Sequence, residues 1–505
     1  LGKTQEAEAP CRKAIKLNPD LAEAHFNLGI ILQEVGKLQE AKKIFKKCLE
    51  IQPHESSYIS YLLSVLTRLS SWDEIENYKE YLNKIGIEGK AIYNPMTLMY
   101  LEDNPLNEFK RAIKYHKENR KEAIPNLNNH KNREIKIGYF SSDFHLHSVT
   151  VTLARTLELH NNSKFKIYAY SFSKINDKYT DRIKKAVSCF REVKDLTDLE
   201  VVKLARDDQI DIAIDLNGYT KHNRNSIFSY RIAPIQINYL GYPGTTGQQG
   251  VDYIISDQYV IPEYHKNYYS EKIIFLTDCY YPRDDSRKIS TKKFIREDYN
   301  IPKESFVFCS FNNSYKISVD EFNIWMKLLD TVKNSSLLLL SPNKEMKSNL
   351  QNFASSNNIN LDRLIFLEYT SFEDHLSRHS LADLFLDTFN CNAHTSAVDS
   401  LWTGLPILTK VGKSFASRIC GSLLNYLELD QLVVKNDEDY FNKAVELATN
   451  TKKYKEIKDK IIQAKKLGNY FDTKKYTENL EKAYKKVHQM RVFENKFDNI
   501  YIEEN

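Results

Sequence analysis

The spacing of hydrophobic residues changes along this chain, from a helical period near the N-terminus to short apolar runs further on. The N-terminal pattern also repeats, because Gly2 matches Gly36 and Pro19 matches Pro53 at a spacing of 34 residues. Between these positions, small and aliphatic residues stand where the two helices of a pair would pack together. Residues 1–90 are therefore predicted to form a helical repeat in which each unit is completed by its neighbour.

This period and pattern resemble the tetratricopeptide repeat. A third, degenerate unit is expected, in which Ser70 takes the position of the repeating glycine. Stacked helix pairs present a concave groove, and this groove is predicted to bind protein or peptide partners. A rigid spacer and a surface for a homo-oligomer are the alternatives. The chain begins at Leu1, inside the repeat and without Met, so we expect further repeats to precede it.

Beyond residue 134, apolar β-rich runs alternate with helical segments, which predicts right-handed βαβ units and parallel sheets. The runs form two series, separated by a polar break over Tyr280–Asn300. The runs of the first series begin at Ile135, Lys166, Ile210, Ile235 and Asp252, and those of the second at Phe306, Ser336, Arg363, Asp383 and Pro406.

The predicted architecture is a set of α-helical repeats followed by two Rossmann-like α/β halves that face each other across a cleft. The boundaries that we assign are 1–90 for the repeats, 91–134 for a helical linker that packs on the following region, 135–290 for the N-terminal half, 291–470 for the C-terminal half and 471–505 for a C-terminal helix and tail.

The strongest candidate for a ligand site lies between Asp383 and Thr409, where an apolar run, a polar loop and a helix follow one another. The helix is predicted to begin at His394, Thr395 and Ser396. A helix N-terminus at the carboxyl end of a parallel strand offers free N–H groups to an anion such as a phosphate. The alternative is that Thr395 or Ser396 merely caps the helix.

Further polar residues are predicted to reach the same cleft. Lys316 follows the first strand of the second series and is a mobile point charge suited to a diphosphate. His375 and Arg378 are three residues apart and share one face of a helix. Asp399 offers a carboxylate to a ribose hydroxyl. A surface lysine is the alternative for Lys316.

The first series carries its own candidates. The stretch Ser141–Ser148 directly follows the first strand and contains His147, a candidate acid, base or hydrogen-bond donor. A solvated loop histidine is the alternative. Gly241 lies in a later glycine-rich loop and permits close approach of the backbone to a ligand, although plain turn chemistry is also compatible. Neither loop is a GxGxxG fingerprint with its acidic partner, so a nicotinamide cofactor is not indicated.

Composition narrows the class of protein. With 505 residues, 42% hydrophobic and 28% charged, the chain fits a soluble protein of more than one domain. The net charge of +5 is small and does not call for nucleic acid. No apolar run reaches the ~18 residues of a membrane span. The seven cysteines form no CxxC pair, which favours reduced thiols in the cytoplasm, and no metal-ligand cluster appears.

These motifs, in this order and behind these repeats, resemble the O-GlcNAc transferase family, which includes plant SPINDLY-type enzymes and bacterial relatives. The resemblance covers nearly the whole chain and is specific in SSDF…H, NGYTK, APIQ…LGYPGTTG, FNNSYKI and CNAHTSAVDSLW…LP. It implies a GT-B fold and an inverting, metal-independent glycosyltransferase that needs no cofactor. The implied reaction moves GlcNAc from the donor UDP-GlcNAc to Ser or Thr hydroxyls of intracellular proteins.

The resemblance also implies roles for individual residues. The implied catalytic residues are Lys316, on the donor diphosphate, and His147, near the sugar and the acceptor. The implied contacts to the nucleotide sugar are Leu240 and Gly241 on the sugar side, Asn313 and Lys316, His375 and Arg378 on the nucleotide side, His394, Thr395 and Ser396 on the diphosphate, and Asp399 on the ribose.

Three positions depart from the animal enzymes. Asn313 stands where they have Gln, and SPINDLY-type members share this Asn. The stretch Asn94–Thr97 stands where they have a His pair, so that histidine cannot be the base. Phe372 replaces a donor-contacting Lys. GDP-fucose or UDP-glucose as donor, and a non-catalytic repeat scaffold, are the alternatives. The HTSAVD stretch and Phe415–Arg418 are closer to the GlcNAc enzymes than to the fucosyl ones.

Overall fold

The computed structural model of the chain describes residues 2–89, 92–125, 134–341, 343–466, 468 and 470–503. Residues 91 and 126–133 of the predicted linker lie outside these ranges. The helices are α1 Gly2–Leu17, α2 Ala22–Glu34, α3 Leu38–Ile51, α4 Ser56–Leu69, α5 Trp72–Glu76, α6 Pro95–Leu98, α7 Pro105–Asn119, α8 Ser148–Leu159, α9 Lys178–Ala186, α10 Asp198–Asp207, α11 Ser226–Ser229, α12 Val319–Thr331, α13 Lys344–Ser356, α14 Phe372–Arg378, α15 Thr395–Thr403, α16 Ile419–Tyr426, α17 Asp437–Thr449, α18 Thr451–Lys466 and α19 Thr473–His488.

The strands are short, and most of their residues are buried. They are β1 Ile135–Ser141, β2 Phe165–Ser171, β3 Cys189–Glu192, β4 Ile212–Asp215, β5 Ile235–Asn238, β6 Tyr253–Ser256, β7 Lys272–Phe275, β8 Phe306–Ser310, β9 Ser335–Leu340, β10 Leu364–Leu367, β11 Leu384–Leu386, β12 Ile407–Lys410, β13 Val433–Val434 and β14 Ile500–Tyr501. Each of the ten predicted apolar runs contains a strand.

The repeat helices pack in sequence, α1 on α2, α2 on α3 and α3 on α4. The third unit is degenerate as predicted, because its second helix, α5, ends at Glu76 and turns replace the remainder. Ser70 has φ 51°, in the left-handed region, as Gly36 does at φ 81°. Glycine adopts this conformation at little cost and serine does not. The turn of the repeat is therefore retained even where its glycine is lost.

Two parallel sheets follow, and both have the doubly wound order of a Rossmann fold. The first runs β14-β7-β6-β5-β4-β1-β2-β3 and the second β10-β9-β8-β11-β12-β13. Every strand pair is parallel. The predicted pair of Rossmann-like halves is thus confirmed.

The C-terminus returns to the first half. In α19, Glu481 accepts a hydrogen bond from the backbone N–H of Asn161 at 2.7 Å, and the Tyr484 hydroxyl lies 3.1 Å from that of Tyr139. Strand β14 then pairs with β7 at the edge of the first sheet. A single hydrophobic cluster extends through both sheets and α19. The two halves therefore share a core, and their facing strand ends are held in place.

Candidate active site

Both sheets place their candidate loops where the strand order reverses. In the first sheet this point lies between β1 and β4, and the loops after these strands carry His147 and Asn217. In the second it lies between β8 and β11, and the loops after them carry Lys316 and His394. The carboxyl ends of parallel strands form a crevice at such a point, in which α/β proteins bind ligands. The topology thus directs four candidate loops toward one cleft.

Lys316 is held beside the N-terminus of α15. It ends a short 3-10 turn after β8, and its Nζ donates to the main-chain oxygen of Asn392 at 2.8 Å. Asn392 belongs to the polar loop that leads into α15. A fixed cation next to free backbone N–H groups is an arrangement that suits a phosphate.

A buried carboxylate that the sequence analysis did not single out fixes this polar loop. Asp387 follows β11 and accepts hydrogen bonds from the Ala393 N–H at 2.6 Å, the Asn312 amide at 3.0 Å and the Thr409 hydroxyl at 2.7 Å. Burial raises the pKa of Asp387, while these hydrogen bonds and Lys316 oppose the rise. The loop is thereby tied to the strands on both sides of β11.

The N-terminus of α15 is open. The residue before its first turn is His394, and no side chain caps the helix. The backbone N–H groups of Thr395 and Ser396 have no acceptor within the described part of the chain. The interpretation in which Thr395 or Ser396 merely caps the helix is therefore wrong. These N–H groups are available to an anion.

His394 itself is neutral. Its Nε2 lies 3.3 Å from the main-chain oxygen of Ala416, and burial, followed by the nearby Lys316, lowers its pKa well below the ordinary value for histidine. The positive charge beside this helix terminus therefore comes from Lys316 and not from the imidazole.

On α14, His375 and Arg378 share a face as predicted and contact each other. The Arg378 Nε donates to His375 Nδ1 at 2.9 Å, and its Nη1 donates to the Glu368 carbonyl at 2.5 Å. Burial lowers the pKa of His375 to about 2, with His379 and Arg378 adding to the effect. His375 is thus a neutral ring whose Nε2 carries the proton, because Nδ1 accepts. Helix α14 packs against α15.

Two residues of the segment that joins the halves complete this side of the cleft, and the sequence analysis missed both. The Tyr281 hydroxyl lies 2.8 Å from that of Thr395. The Arg287 Nη1 donates to Asp399 Oδ1 at 2.6 Å. Asp399, the predicted acceptor for a ribose hydroxyl, therefore has a buried cationic partner, and its contact with a ligand stays a prediction.

In the first half, His147 is the N-cap of α8. Its Nδ1 accepts from the Val149 N–H at 3.4 Å and lies 3.7 Å from Asp143 Oδ2. Asp143 is in turn held by the amide of Asn217 at 2.8 Å. The SSDF…H and NGYTK motifs thus meet through the hydrogen bond of Asn217 to Asp143, and the His147 ring is held by its N-cap contact. Among the described residues, no hydrogen bond joins His147 to the second half.

The loop after β5 has a constrained backbone. Leu240 has φ 73°, which is strained for a branched residue. At Gly241, an added Cβ would overlap the main-chain oxygen of Leu216. The predicted close approach at Gly241 is therefore to the protein's own backbone, and a contact with a ligand stays a prediction.

The repeats and the linker support the Lys316 loop from behind. Asn313 is exposed and its amide donates to the Tyr315 hydroxyl at 3.0 Å, while the Tyr315 ring packs on Tyr100 of the linker. Trp72 of α5 donates to the main-chain oxygen of Ile317 at 3.3 Å. The second half thus takes part of its site geometry from the N-terminal region.

The stretch Asn94–Thr97, where the animal enzymes have a His pair, helps to attach the linker to the first half. Asn94 caps α6 by accepting from the Met96 N–H, and its amide donates to the Tyr219 carbonyl at 2.9 Å. Asp103, at the end of the same segment, accepts from the backbone of Lys413 and Ser414 at 2.7 Å each. The linker therefore contacts both halves.

A cavity of about 400 Å³ lies between the halves at the start of α14. Its walls include Val151, Tyr179, Arg182, Arg287, Phe372 and Glu373. Within the residues that the structure covers, no group of three or more His, Cys, Asp or Glu could hold a metal ion. Independence of metal stays a prediction. None of the described helices is both long and apolar enough to cross a membrane.

Comparison with known sequences assigns the family. The profile of Glycosyl transferase family 41 matches residues 110–294 and 285–480, and that of the Tetratricopeptide repeat matches residues 22–55. The chain belongs to glycosyl transferase family 41. Both sets of candidate loops lie inside the matched ranges.

Several curated relatives are similar to this family 41 chain. The probable UDP-N-acetylglucosamine–peptide N-acetylglucosaminyltransferase SEC of Arabidopsis thaliana is 34% identical over 362 residues, which cover 70% of this chain and 37% of the relative. The probable enzyme of the same activity named SPINDLY in Petunia hybrida is 29% identical over 371 residues, covering 70% and 39%. The Caenorhabditis elegans UDP-N-acetylglucosamine–peptide N-acetylglucosaminyltransferase is 26% identical, covering 69% and 40%. The chain thus spans less than half the length of these relatives.

The fold is similar to that of a solved structure. A variant of the O-GlcNAc transferase of Thermobaculum terrenum superposes with a TM-score of 0.81 at 24% identity, covering 98% of this chain and 96% of that one. The expected GT-B fold behind tetratricopeptide repeats is thereby confirmed.

Proposed function

We propose that this family 41 chain is an inverting, metal-independent protein O-glycosyltransferase that moves GlcNAc from UDP-GlcNAc to Ser or Thr hydroxyls of intracellular proteins. The observation that carries the proposal is the Lys316 ammonium, fixed 2.8 Å from the Asn392 carbonyl beside the open N-terminus of α15. The names of the relatives support the donor and the peptide acceptor.

The charge that develops in this reaction would be stabilised by the protein alone. The acceptor oxygen attacks the anomeric carbon, and the bond from that carbon to the diphosphate breaks with its electron pair on the leaving UDP. Lys316 and the N–H groups of Thr395 and Ser396 are placed to bind the diphosphate as its charge grows. The neutral state of His394 leaves this ring as a hydrogen-bond partner rather than a second cation.

His147 is the group of the first half that we assign to the acceptor. Its ring is held by the N-cap contact, lies near the Asp143 carboxylate, and remains partly exposed. A histidine held in this way positions the hydroxyl or takes its proton. Asn94 cannot act as a base, because it is an amide whose side chain already caps α6.

The nucleoside would lie between α14 and α15, with His375 and Arg378 on one side and a ribose hydroxyl on Asp399. Leu240 and Gly241 would approach the sugar. Protein acceptors would reach the cleft along the repeat groove, in the cytoplasm, without nucleic acid or membrane. The repeat surface also remains a candidate for a homo-oligomer.

One residue favours a second donor. Asn313 is the residue that SPINDLY-type members share, and it is exposed at the mouth of the Lys316 loop. GDP-fucose, or UDP-glucose, is therefore the alternative donor. A non-catalytic scaffold is the remaining alternative.

The test is calorimetric titration of the chain with UDP and with GDP in EDTA, for the wild type, Lys316→Ala and the control Lys327→Ala. Lys327 is exposed on α12, away from the cleft. We expect UDP binding that weakens about tenfold to hundredfold in Lys316→Ala, the range for a hydrogen bond to a charged group, and is unchanged in Lys327→Ala.

A preference for GDP would indicate GDP-fucose as the donor in place of UDP-GlcNAc. A second titration, with UDP-glucose and UDP-GlcNAc, would compare the affinities for these two donors. If the folded protein binds neither nucleotide, the proposal of an enzyme is wrong and the non-catalytic scaffold is supported. UDP binding that requires added Mg²⁺ would contradict metal independence.

A further inference from the structure

The segment that joins the two halves places one arginine against both of them. The Arg287 Nη1 donates to Asp399 Oδ1 at 2.6 Å, in the second turn of α15. Its Nη2 lies 3.5 Å from the main-chain oxygen of Val151, in the first turn of α8. One side chain therefore contacts the facing N-terminal turns of a helix from each half.

This pair is unlike the surface ion pairs of the molecule. The side chains of Arg287 and Asp399 are only 2% and 6% exposed. Burial of two charges is costly, and it is offset only when the geometry is good and the remaining polar atoms are satisfied.

Only one of the two carboxylate oxygens of Asp399 accepts a hydrogen bond from the described part of the protein. Oδ1 accepts from Arg287, and in the described part of the chain no group donates to Oδ2. A carboxylate oxygen that the protein leaves unpaired can accept a hydrogen bond from a ligand or from water. A hydroxyl group from a ligand is a donor that would fit, and the guanidinium fixes the direction in which Oδ2 is presented.

The same segment also contacts the first turn of α15. Tyr281 is 4% exposed, its hydroxyl lies 2.8 Å from that of Thr395, and its ring is 6.2 Å from that of His394. The joining segment thus holds α15 at two successive turns. One of these turns carries the proposed diphosphate contacts and the other carries Asp399.

We propose that Arg287 is a positioning residue for the nucleoside of the donor, which orients Asp399 toward a ribose hydroxyl and fixes the separation of α8 and α15. This inference rests on the proposed function, because it needs a nucleotide in the cleft. Arg287 touches none of the reacting atoms. It does line the cavity of about 400 Å³ beside Phe372, which is the space available next to α14.

A purely structural role for Arg287 makes a different prediction. If it only joined the halves, its loss would lower the melting temperature and weaken all ligands equally. If it positions Asp399, its loss removes the discrimination between a ribose and a deoxyribose. The ratio of two affinities for the same protein separates these cases, because a general loss of fold cancels from it.

The experiment is calorimetric titration of the full chain with UDP, 2′-deoxy-UDP and 3′-deoxy-UDP. The proteins are the wild type, Arg287→Met, Arg287→Lys, Asp399→Asn and the Arg287→Met/Asp399→Asn double variant. We expect the wild type to prefer UDP over at least one deoxy analogue by about tenfold or more, the effect of losing a hydrogen bond to a charged group. We expect Arg287→Met and Asp399→Asn each to lose most of that preference.

The two single changes should not add. The double variant is expected to discriminate no worse than Asp399→Asn alone, since both changes remove the same contact. Arg287→Lys keeps the charge but not the two-armed geometry, and should recover part of the preference. It also serves as the test variant if Arg287→Met does not fold. Arg191→Met is the control for the loss of a paired arginine outside the cleft, because Arg191 pairs with Asp208 at 2.7 Å on the edge strand β3.

Folded Arg287 variants that retain the wild-type preference for UDP would overturn the inference and leave the proposed function intact. If the two changes reduce the preference for UDP additively in the double variant, the inference is likewise wrong and the proposed function is unaffected. A wild-type chain that binds no UDP would overturn the proposed function itself, and the inference with it.

Discussion

The proposed contact of Asp399 with a ribose hydroxyl depends on the ionisation of this carboxyl. Burial raises the pKa of Asp399 to about 6, and Arg287 opposes the rise. Asp399 is therefore an ionised acceptor above about pH 6 and a protonated acid below it. We predict that the affinity for UDP-GlcNAc is constant from pH 7 to 8 and falls as the pH drops through about 6. Calorimetry between pH 5 and 8 measures this.

UDP-GlcNAc is the better probe here, because its diphosphate is esterified at both ends and has no terminal phosphate that titrates in this range. His375 and His394 do not interfere, since burial lowers the pKa of both and they stay neutral. Asp399→Asn is the control and should show weak, pH-independent binding. An equally steep fall in that variant would assign the titration to another group.

Residue types and their place on an element can be read from the sequence, whereas their partners cannot. Lys316, His394 and Asp399 were predictable because each follows a strand end or stands early in a helix. Arg287 lies 112 positions from Asp399, in a polar segment that reads as a mere separator. The sequence predicts Asp387 only as the end of a strand, and the structure is needed to show that it fixes the polar loop that leads into α15.

At the scale of elements, the degenerate third repeat supports the site. Trp72 of α5 is 8% exposed, packs on Phe322 at 5.1 Å and on Phe353 at 5.2 Å, and donates to the carbonyl after Lys316. We predict that Trp72→Phe, which keeps an aromatic ring but removes the donor, weakens UDP binding roughly twofold to tenfold. Titration of the intact chain measures the effect.

The control is Tyr81→Phe, which also removes a hydrogen-bonding group from an aromatic side chain but lies within the repeat region, against the repeats' own core. If Trp72→Phe and Tyr81→Phe both bind UDP with the wild-type affinity, the repeats do not influence the Lys316 loop. Trp72→Ala is less informative, because removing a buried Trp costs about 3–5 kcal/mol in stability.

Apolar runs between turn signals predicted ten of the fourteen described strands, and β3, β7, β13 and β14 were missed. Strand β7 reads KIIF and is as apolar as the predicted strands, so its pattern was present in the sequence. Strand β3 reads CFRE and is only partly buried, so it lacks the apolar run of a central strand. Strands β13 and β14 have two residues each, too few for any pattern. The pairing of β14 with β7 joins the C-terminal segment to the last strand of the first half, and no local signal specifies such a contact.

At the scale of the molecule, one core spans both halves, so ligand binding in the cleft should stabilise them together. The same hydrophobic cluster contains Ile137 of β1, Phe385 of β11 and Tyr484 of α19. We predict a single thermal transition for the two halves. UDP at a hundred times its Kd should add about 2.7 kcal/mol of stability and raise the midpoint by roughly 2–4 °C. Differential scanning calorimetry measures both.

Lys316→Ala at the same UDP concentration should show a smaller shift, because its Kd is higher and the stabilisation depends on the ratio of ligand to Kd. Without UDP its midpoint should match that of the wild type, since Lys316 makes one partly buried hydrogen bond. Two transitions, of which UDP moves only one, would mean that the halves unfold independently and that one half alone binds the nucleotide. Because Arg287 and Tyr281 connect the facing helices, we expect the joint response.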